Sequence, residues 1–135
     1  MGANLDSVNL MGACLELANL INATLRSAFL REANHSQAIL CNAQLQNADL
    51  SWARLNRAIL SQTNLRGANL QGADLTGTNL INASLLQANL SGANLLGANL
   101  TGVDLTSTDL TWAKYDQNTI WPAGFIPTKA GTIFS

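Results

Sequence analysis

Few residues in this 135-residue chain carry side chains suited to acid–base, nucleophilic or metal chemistry. His35 is the single histidine, Cys14 and Cys41 are the two cysteines, and eight Asp and Glu are scattered along the chain. A general base at His35 would need Ser36 or a cysteine within reach, together with a pocket that displaces its pKa. The cysteines lie 27 residues apart, and neither they nor the carboxylates show the spacing of a zinc or calcium site. A phosphate-binding loop would group its glycines, whereas eight of the ten here fall in one five-residue phase from Gly2 to Gly102. What positions all of these groups is a repeat, so the repeat decides which of them can act.

Every fifth residue from Leu5 to Leu110 is Leu in 21 of 22 positions, the exception being His35. Two residues before each of these, the 22 positions from Ala3 to Thr108 hold 17 Ala, with Val8, Val103, Thr63, Thr78 and Thr108 as departures. The residue between is mostly polar, often Asn or Asp, as at Asn69, Asp74 and Asn89. A period of five fits neither a helix nor a long strand, since either would scatter the leucines over all faces. The chain must therefore turn once per repeat. In a short extended stretch Ala and Leu point inward together and the residue between them points out. The two remaining residues form a corner, where Gly or Asn suits the positive φ of the turn's third residue. Four sides close a coil of about 20 residues, and coils stack about 4.8 Å apart. Cys14 then falls on side three and Cys41 just after side four, counting sides from Leu5, Leu10, Leu15 and Leu20, so neither a disulfide nor a shared metal is expected. The chain is predicted to be non-catalytic, with no metal and no cofactor. His35 is expected to be a neutral core substitution, hydrogen-bonded or locally bulging the coil.

The tandem Ala-Asn/Asp-Leu-x-x run resembles the pentapeptide-repeat family, over residues 2 to about 116. That resemblance implies an all-β fold, a right-handed quadrilateral parallel β-helix, here of about 5.5 coils and roughly 27 Å in length. Two segments are expected: the β-helix at 1–116 and a C-terminal capping segment at 117–135. From Trp112 onward the repeat fades, and both prolines, the only Tyr, two of three Trp and two of three Phe lie there. This tail, with Tyr115-Asp116 and Trp121-Pro122-Ala123-Gly124-Phe125-Ile126-Pro127, is similar to the tails of cyanobacterial pentapeptide-repeat proteins. A cap is needed because an open coil end exposes unpaired backbone and leucines. No such segment precedes Leu5, so the first coil is expected to be frayed or covered by another molecule.

Laying residues 20 apart in columns maps the surface. Side four carries Ile39 above Ile59, with Ile21, Cys41, Ser61 and Ile81 in the adjacent column, an apolar patch suited to a protein partner or to self-association. Side two carries Phe29, Arg31, Glu32 and Asp49, with Trp52 at its corner, a second candidate contact region; Trp112, in the column of Trp52, is expected to anchor the cap. Asp6 stacks with Arg26 and Arg54 with Asp74 as neutralised pairs worth about 0–1 kcal/mol each.

The formal net charge is −1 and charged residues make up 11% of the chain, against about 25% in ordinary domains. Such a surface sets up no field to attract nucleic acid or an anionic membrane. With no long apolar stretch and no leader, the chain reads as cytoplasmic, or as a thylakoid-lumen or periplasmic protein from which a targeting peptide was removed. Three functional classes are open, the third of them implied by the family resemblance. The first is a protein-interaction or regulatory module, as in a cyanobacterial relative that regulates heterocyst differentiation. The second is a self-assembling spacer that stacks through its first coil. The third is a DNA mimic that binds gyrase and confers fluoroquinolone resistance. A 27 Å mimic needs about 16 negative charges at one per 1.7 Å, and this chain offers 8 acids against 7 bases.

Overall fold

The computed structural model describes residues 2–135. The outward residues of the first four sides, Asn4, Asn9, Cys14 and Asn19, pair in parallel with Thr24, Phe29, Asn34 and Ile39. The 20-residue offset then recurs through Asn94 and Lys114. One pair of outward residues bridges each side in each coil, except that Ser84 and Asp104 do not pair. Three residues make a side and two make the corner, so the sides are too short to become regular strands.

Through the middle of the chain each repeat binds its neighbours in the same way, whereas at 83–87 the Leu85 N–H has no ladder acceptor and Gln87 N–H turns to Ser107 Oγ at 3.0 Å. Leu25 N–H donates to the Gln44 carbonyl at 2.7 Å, Gln44 N–H donates back to Ala23 at 2.9 Å, and corner residue Ser27 donates to Gln46 at 2.9 Å. Within the corner, Ala28 N–H closes the turn onto Leu25 at 3.1 Å. One backbone N–H per repeat remains, that of the first corner residue. Where the outward residue is Asn or Asp, its Oδ1 accepts this N–H: Asn69 takes Gln71 at 3.1 Å, Asp74 takes Thr76 at 3.1 Å and Asn89 takes Ser91 at 2.9 Å. A short acceptor two residues before the donor is what Asn and Asp supply. The outward amide is therefore part of the frame as well as of the surface.

The second corner residue has positive φ from Ser7 through Gly102 and again at Trp112, with Ser107 the exception, and Gly is not required there. Leu17, Trp52, Arg57 and Trp112 all adopt φ near 60°. The ladder bonds on either side hold the corner in place and offset a left-handed cost of roughly 1–2 kcal/mol.

Leu25 through Leu100 and the alanines facing them form one continuous core, while Leu5, Leu10 and Leu15 are only partly buried. Thr63 and Thr78 replace Ala inside without leaving a stranded hydroxyl, because each donates to the carbonyl of a leucine one coil earlier, Leu40 at 2.7 Å and Leu55 at 2.8 Å. Thr119 does the same to Leu95 at 2.9 Å. It thus takes a small inward position after one inserted residue, and Ile120 pairs with Asn99.

Strand β1 (Lys114–Tyr115) pairs in parallel with β2 (Ile133–Phe134). Between them lies a 3-10 turn at Pro127–Ala130 that ends on Gly131, φ 76°. Tyr115, Trp121, Phe125 and Phe134 form an aromatic layer, with ring centroids 5.5 Å apart for Tyr115–Trp121, 5.3 Å for Tyr115–Phe134 and 5.0 Å for Trp121–Phe125. Trp121 and Phe125 pack onto the leucine core.

Candidate interaction surfaces

His35 occupies a leucine position on side three and is completely buried, and neither ring nitrogen has a hydrogen-bond partner. Burial alone holds its pKa down to about 4. The coil does not bulge around it: Asn34 keeps the 20-residue pairing with Arg54, and His35 N–H donates to Arg54 at 2.7 Å. The expected hydrogen bond or bulge is thus replaced by an undisturbed backbone with a neutral, unpartnered imidazole. Ser36, also buried, bonds to Asn34 and Asn56 rather than to His35, so no acid–base pair forms. Cys14 and Cys41 are free thiols, and Cys41 Sγ lies 3.3 Å from Ser61 Oγ. Among the described residues no group of three or more His, Cys, Asp and Glu is placed to hold a metal ion.

The side-four residues come together. Ile39 and Ile59 are directly paired. Asn22 N–H donates to the Cys41 carbonyl, Asn42 N–H to Ser61 and Gln62 N–H to Ile81, which stacks Ile21, Cys41, Ser61 and Ile81 coil upon coil. Ile21 and Ile59 are exposed; Ile39, Cys41 and Ile81 are half-buried. Ile39 and Ile59 stand where Asn19 and Asn79 of the same column hold the corner amides of Ile21 and Ile81. The amides of Cys41 and Ser61 have no such acceptor. Ile120, in the same column but separated from Ile59 by Asn79 and Asn99, is half exposed; its phase is shifted by the inserted residue, which hid it from a strict period of five.

Phe29 and Trp52 lie on the far side of the coil from this patch, so the candidate residues divide into two surfaces. Phe29, 51% exposed, is paired with Asn9 and Asp49. Trp52 lies over Gly72 in the next coil, where its ring fills the space a side chain would need, yet it remains 55% exposed. Trp112 does not anchor the cap through its ring, which is 66% exposed; its backbone N–H donates to Gly131 at 2.8 Å instead. Exposed Met11 and Leu17 on the first coil were not singled out by the sequence, because they occupy corner positions of variable type.

Asp6 and Arg26 pair at 3.4 Å, and the Arg26 backbone N–H, with help from the guanidinium, holds the Asp6 carboxyl below its ordinary pKa. Arg54 and Asp74 are neighbours in the ladder but make no ion pair; Asp74 is taken up by the amide and hydroxyl of Thr76. Arg31 instead pairs with adjacent Glu32 at 3.2 Å.

A four-sided parallel coil with Leu and Ala inside, amide-braced corners and freely varying outward columns defines a solenoid scaffold. Residues 18–57, 48–85, 58–95 and 83–114 match the family described as pentapeptide repeats, in eight copies, and the chain belongs to that family. Its fold is accordingly the right-handed quadrilateral β-helix. Among solved structures it is similar to alr5209, a pentapeptide repeat protein from Nostoc Pcc 7120, with 42% identity and a TM-score of 0.74 over 76% of this chain and 84% of that one. It is also similar to AT2G44920, a pentapeptide repeat protein from the Arabidopsis thaliana thylakoid lumen, with 31% identity and a TM-score of 0.72 over 74% of this chain and 70% of the other. HetL, a pentapeptide repeat protein involved in heterocyst differentiation regulation in the cyanobacterium Nostoc sp. strain PCC 7120, shares 25% identity at a TM-score of 0.54, covering 98% and 75% respectively. No curated protein matches the sequence. No helix among the described residues is long and apolar enough to cross a membrane.

Proposed function

We propose that this chain is a non-catalytic protein-interaction or regulatory module that binds a protein partner through side four, with Ile21, Ile39, Cys41, Ile59 and Ile81 as the contact face. The observation that carries the reading is the adjacent pair Ile39 and Ile59. Each displaces the Asn or Asp that braces the corner elsewhere, leaving an amide without its acceptor and an apolar side chain outside. A rigid scaffold that gives up a frame bond at two stacked positions gains a contiguous apolar surface, and presents it at little ordering cost. Likeness to HetL, which is involved in heterocyst differentiation regulation, supports a regulatory role. Phe29 and Trp52 form a second, smaller contact region on the opposite side.

The β-helix of about 5.5 coils at 1–116 and the capping segment at 117–135 serve this role as frame and end-stop. A cytoplasmic setting is the first reading, and likeness to AT2G44920 keeps the thylakoid lumen open beside it. A double change, Ile39→Asp with Ile59→Asp, tests the reading. Both positions point outward, so the melting temperature is expected to move by only a few degrees. Partner retention in pull-down, and any self-association seen by sedimentation over a concentration series, should disappear. Retention of both by the double variant overturns the side-four assignment. Assembly through the first coil is the second reading, favoured by the part-exposed Leu5, Leu10 and Leu15 beside exposed Met11 and Leu17; it predicts growth with concentration that the side-four change leaves intact.

A further inference from the structure

Trp52 and Trp112 belong to one file of corner residues between sides two and three. Glu32 N–H donates to Ser51, Trp52 to Gln71, Gly72 to Ser91, Gly92 to Thr111 and Trp112 to Gly131, so the file climbs unbroken from the second coil to the cap. The two tryptophans stand three coils apart on it, about 14 Å at 4.8 Å per coil. Both rings are more than half exposed. The two positions between them are glycines. The Trp52 ring leans onto the first, Gly72, whereas a Cβ at Gly92 would meet nothing within 4 Å. Gly92 is therefore a bare step between two exposed indoles. Local packing accounts for Trp52 over Gly72, but not for a second outward indole on the same file with a cleared step before it.

We propose that Trp52 and Trp112, with the cleared step at Gly92, bind an extended neutral polysaccharide laid along the rod. The backbone N–H groups of the file are already used between coils, so a peptide finds no rung there to extend. The charges beside it are of both signs and several are engaged, Asp49 by Ser51, Asp74 by Thr76 and Arg31 by Glu32. No field of one sign is left to draw a polyanion or a polycation. What the surface does offer is amide and hydroxyl groups. Gln71 is exposed, Ser91 is half-buried, and Asn89 holds the Ser91 amide through Oδ1, which leaves its Nδ2 as a donor. Groups of this kind give and accept hydrogen bonds with sugar hydroxyls. The C–H face of a pyranose ring is partly positive and stacks on the negative face of an indole. One coil is close in length to one unit of an extended β-1,4-linked hexopyranose chain, so rings three units apart meet both tryptophans. The frame holds the two indoles in place before the ligand arrives, which keeps the ordering cost low. This surface lies across the coil from Ile39 and Ile59 and does not rest on the reading given for side four.

The test titrates the full chain with cellohexaose by isothermal calorimetry. Saturable binding that does not change with salt is expected, and cellobiose, too short to reach both indoles, should bind at least tenfold more weakly. Trp52→Ala and Trp112→Ala should each lower the affinity roughly fivefold to tenfold, the size of a lost aromatic stack. Gly92→Gln fills the step with a residue already accepted at this position of the corner, as Gln62 and Gln87 show at φ 58° and 60°. It should weaken binding to a similar extent while the melting temperature moves by only a few degrees. Ile126→Ala, at an exposed apolar residue of the cap, should leave binding unchanged. No saturable binding of cellohexaose, equal affinity for cellobiose, tryptophan variants that bind as the natural chain does, or tighter binding of decaproline than of cellohexaose each overturns the proposal.

Discussion

His35 shows how much one position of the ladder can carry. Its imidazole takes the place of a leucine and brings two nitrogens that meet no partner, a burden of roughly 1–3 kcal/mol. With its pKa lowered from 6.5 to about 4 in the fold, the unfolded chain binds the extra proton between those values. Stability therefore falls as pH drops from 6.5 toward 4, by about 3 kcal/mol when the loss is complete. The lowered carboxyls of Asp6, Asp104 and Asp109 act in a different window: their contribution is present above the unfolded value of 3.8 and is lost as pH falls below it. Urea midpoints measured at pH 7.5, 6 and 5 should decline for the natural chain, whereas His35→Leu should be more stable at all three and flat across them. A variant that tracks the natural chain would contradict the burial argument. The position of His35 was readable from the period of five, since an inward phase has no solvent. That it would lack any hydrogen bond was not, because this depends on where Ser36, Asn34 and Asn56 direct their own polar atoms.

At the scale of one coil, each element is stabilised by its neighbours alone, and the two ends differ. Leu50 is sealed between coils, whereas Leu10 has a coil on one side only and is half-buried. Leu50→Ala should cost about 2–5 kcal/mol and Leu10→Ala markedly less, as read from chemical denaturation. Amide exchange in residues 3–20 should precede exchange in residues 43–100; uniform protection would mean that the first coil is held by something other than its single neighbour. The corners repay the same local reading. Sequence spacing places Gly or Asn at the second corner residue for its positive φ, yet Leu17, Arg57 and Trp52 adopt it equally. The ladder hydrogen bonds hold that residue from both sides, so its own preference contributes only a fraction of the outcome. The stronger signal lies one step away, in the outward Asn and Asp, which the spacing turns toward solvent and which also brace the corner amide.

Over the whole molecule, charge excludes one function while surface shape leaves another open. Eight acids against seven bases, several of them paired or hydrogen-bonded, cannot imitate a duplex with one charge per about 1.7 Å of axis. No inhibition of gyrase supercoiling is expected at concentrations that saturate the side-four contact; inhibition would require a negative surface this chain does not have. The coil, its four sides, the inward Leu and Ala rows and the placing of Ile39 beside Ile59 were all determined by sequence, because a period of five leaves one economical way to bury 21 leucines and a 20-residue offset follows from it. The fate of individual polar groups was decided only in three dimensions. Arg54 and Asp74 share a column without pairing, the Trp52 ring settles over Gly72, Trp112 turns outward, and Thr119 re-enters the core one residue late. Each outcome depends on which of several nearby partners a flexible side chain reaches first, and a periodic sequence carries no term for that competition. The loosened rung at 103–107, where Ser84 and Asp104 do not pair and Gln87 N–H turns to Ser107 Oγ, belongs to the same class, since Val103, Asp104 and Leu105 keep the pattern of the repeat.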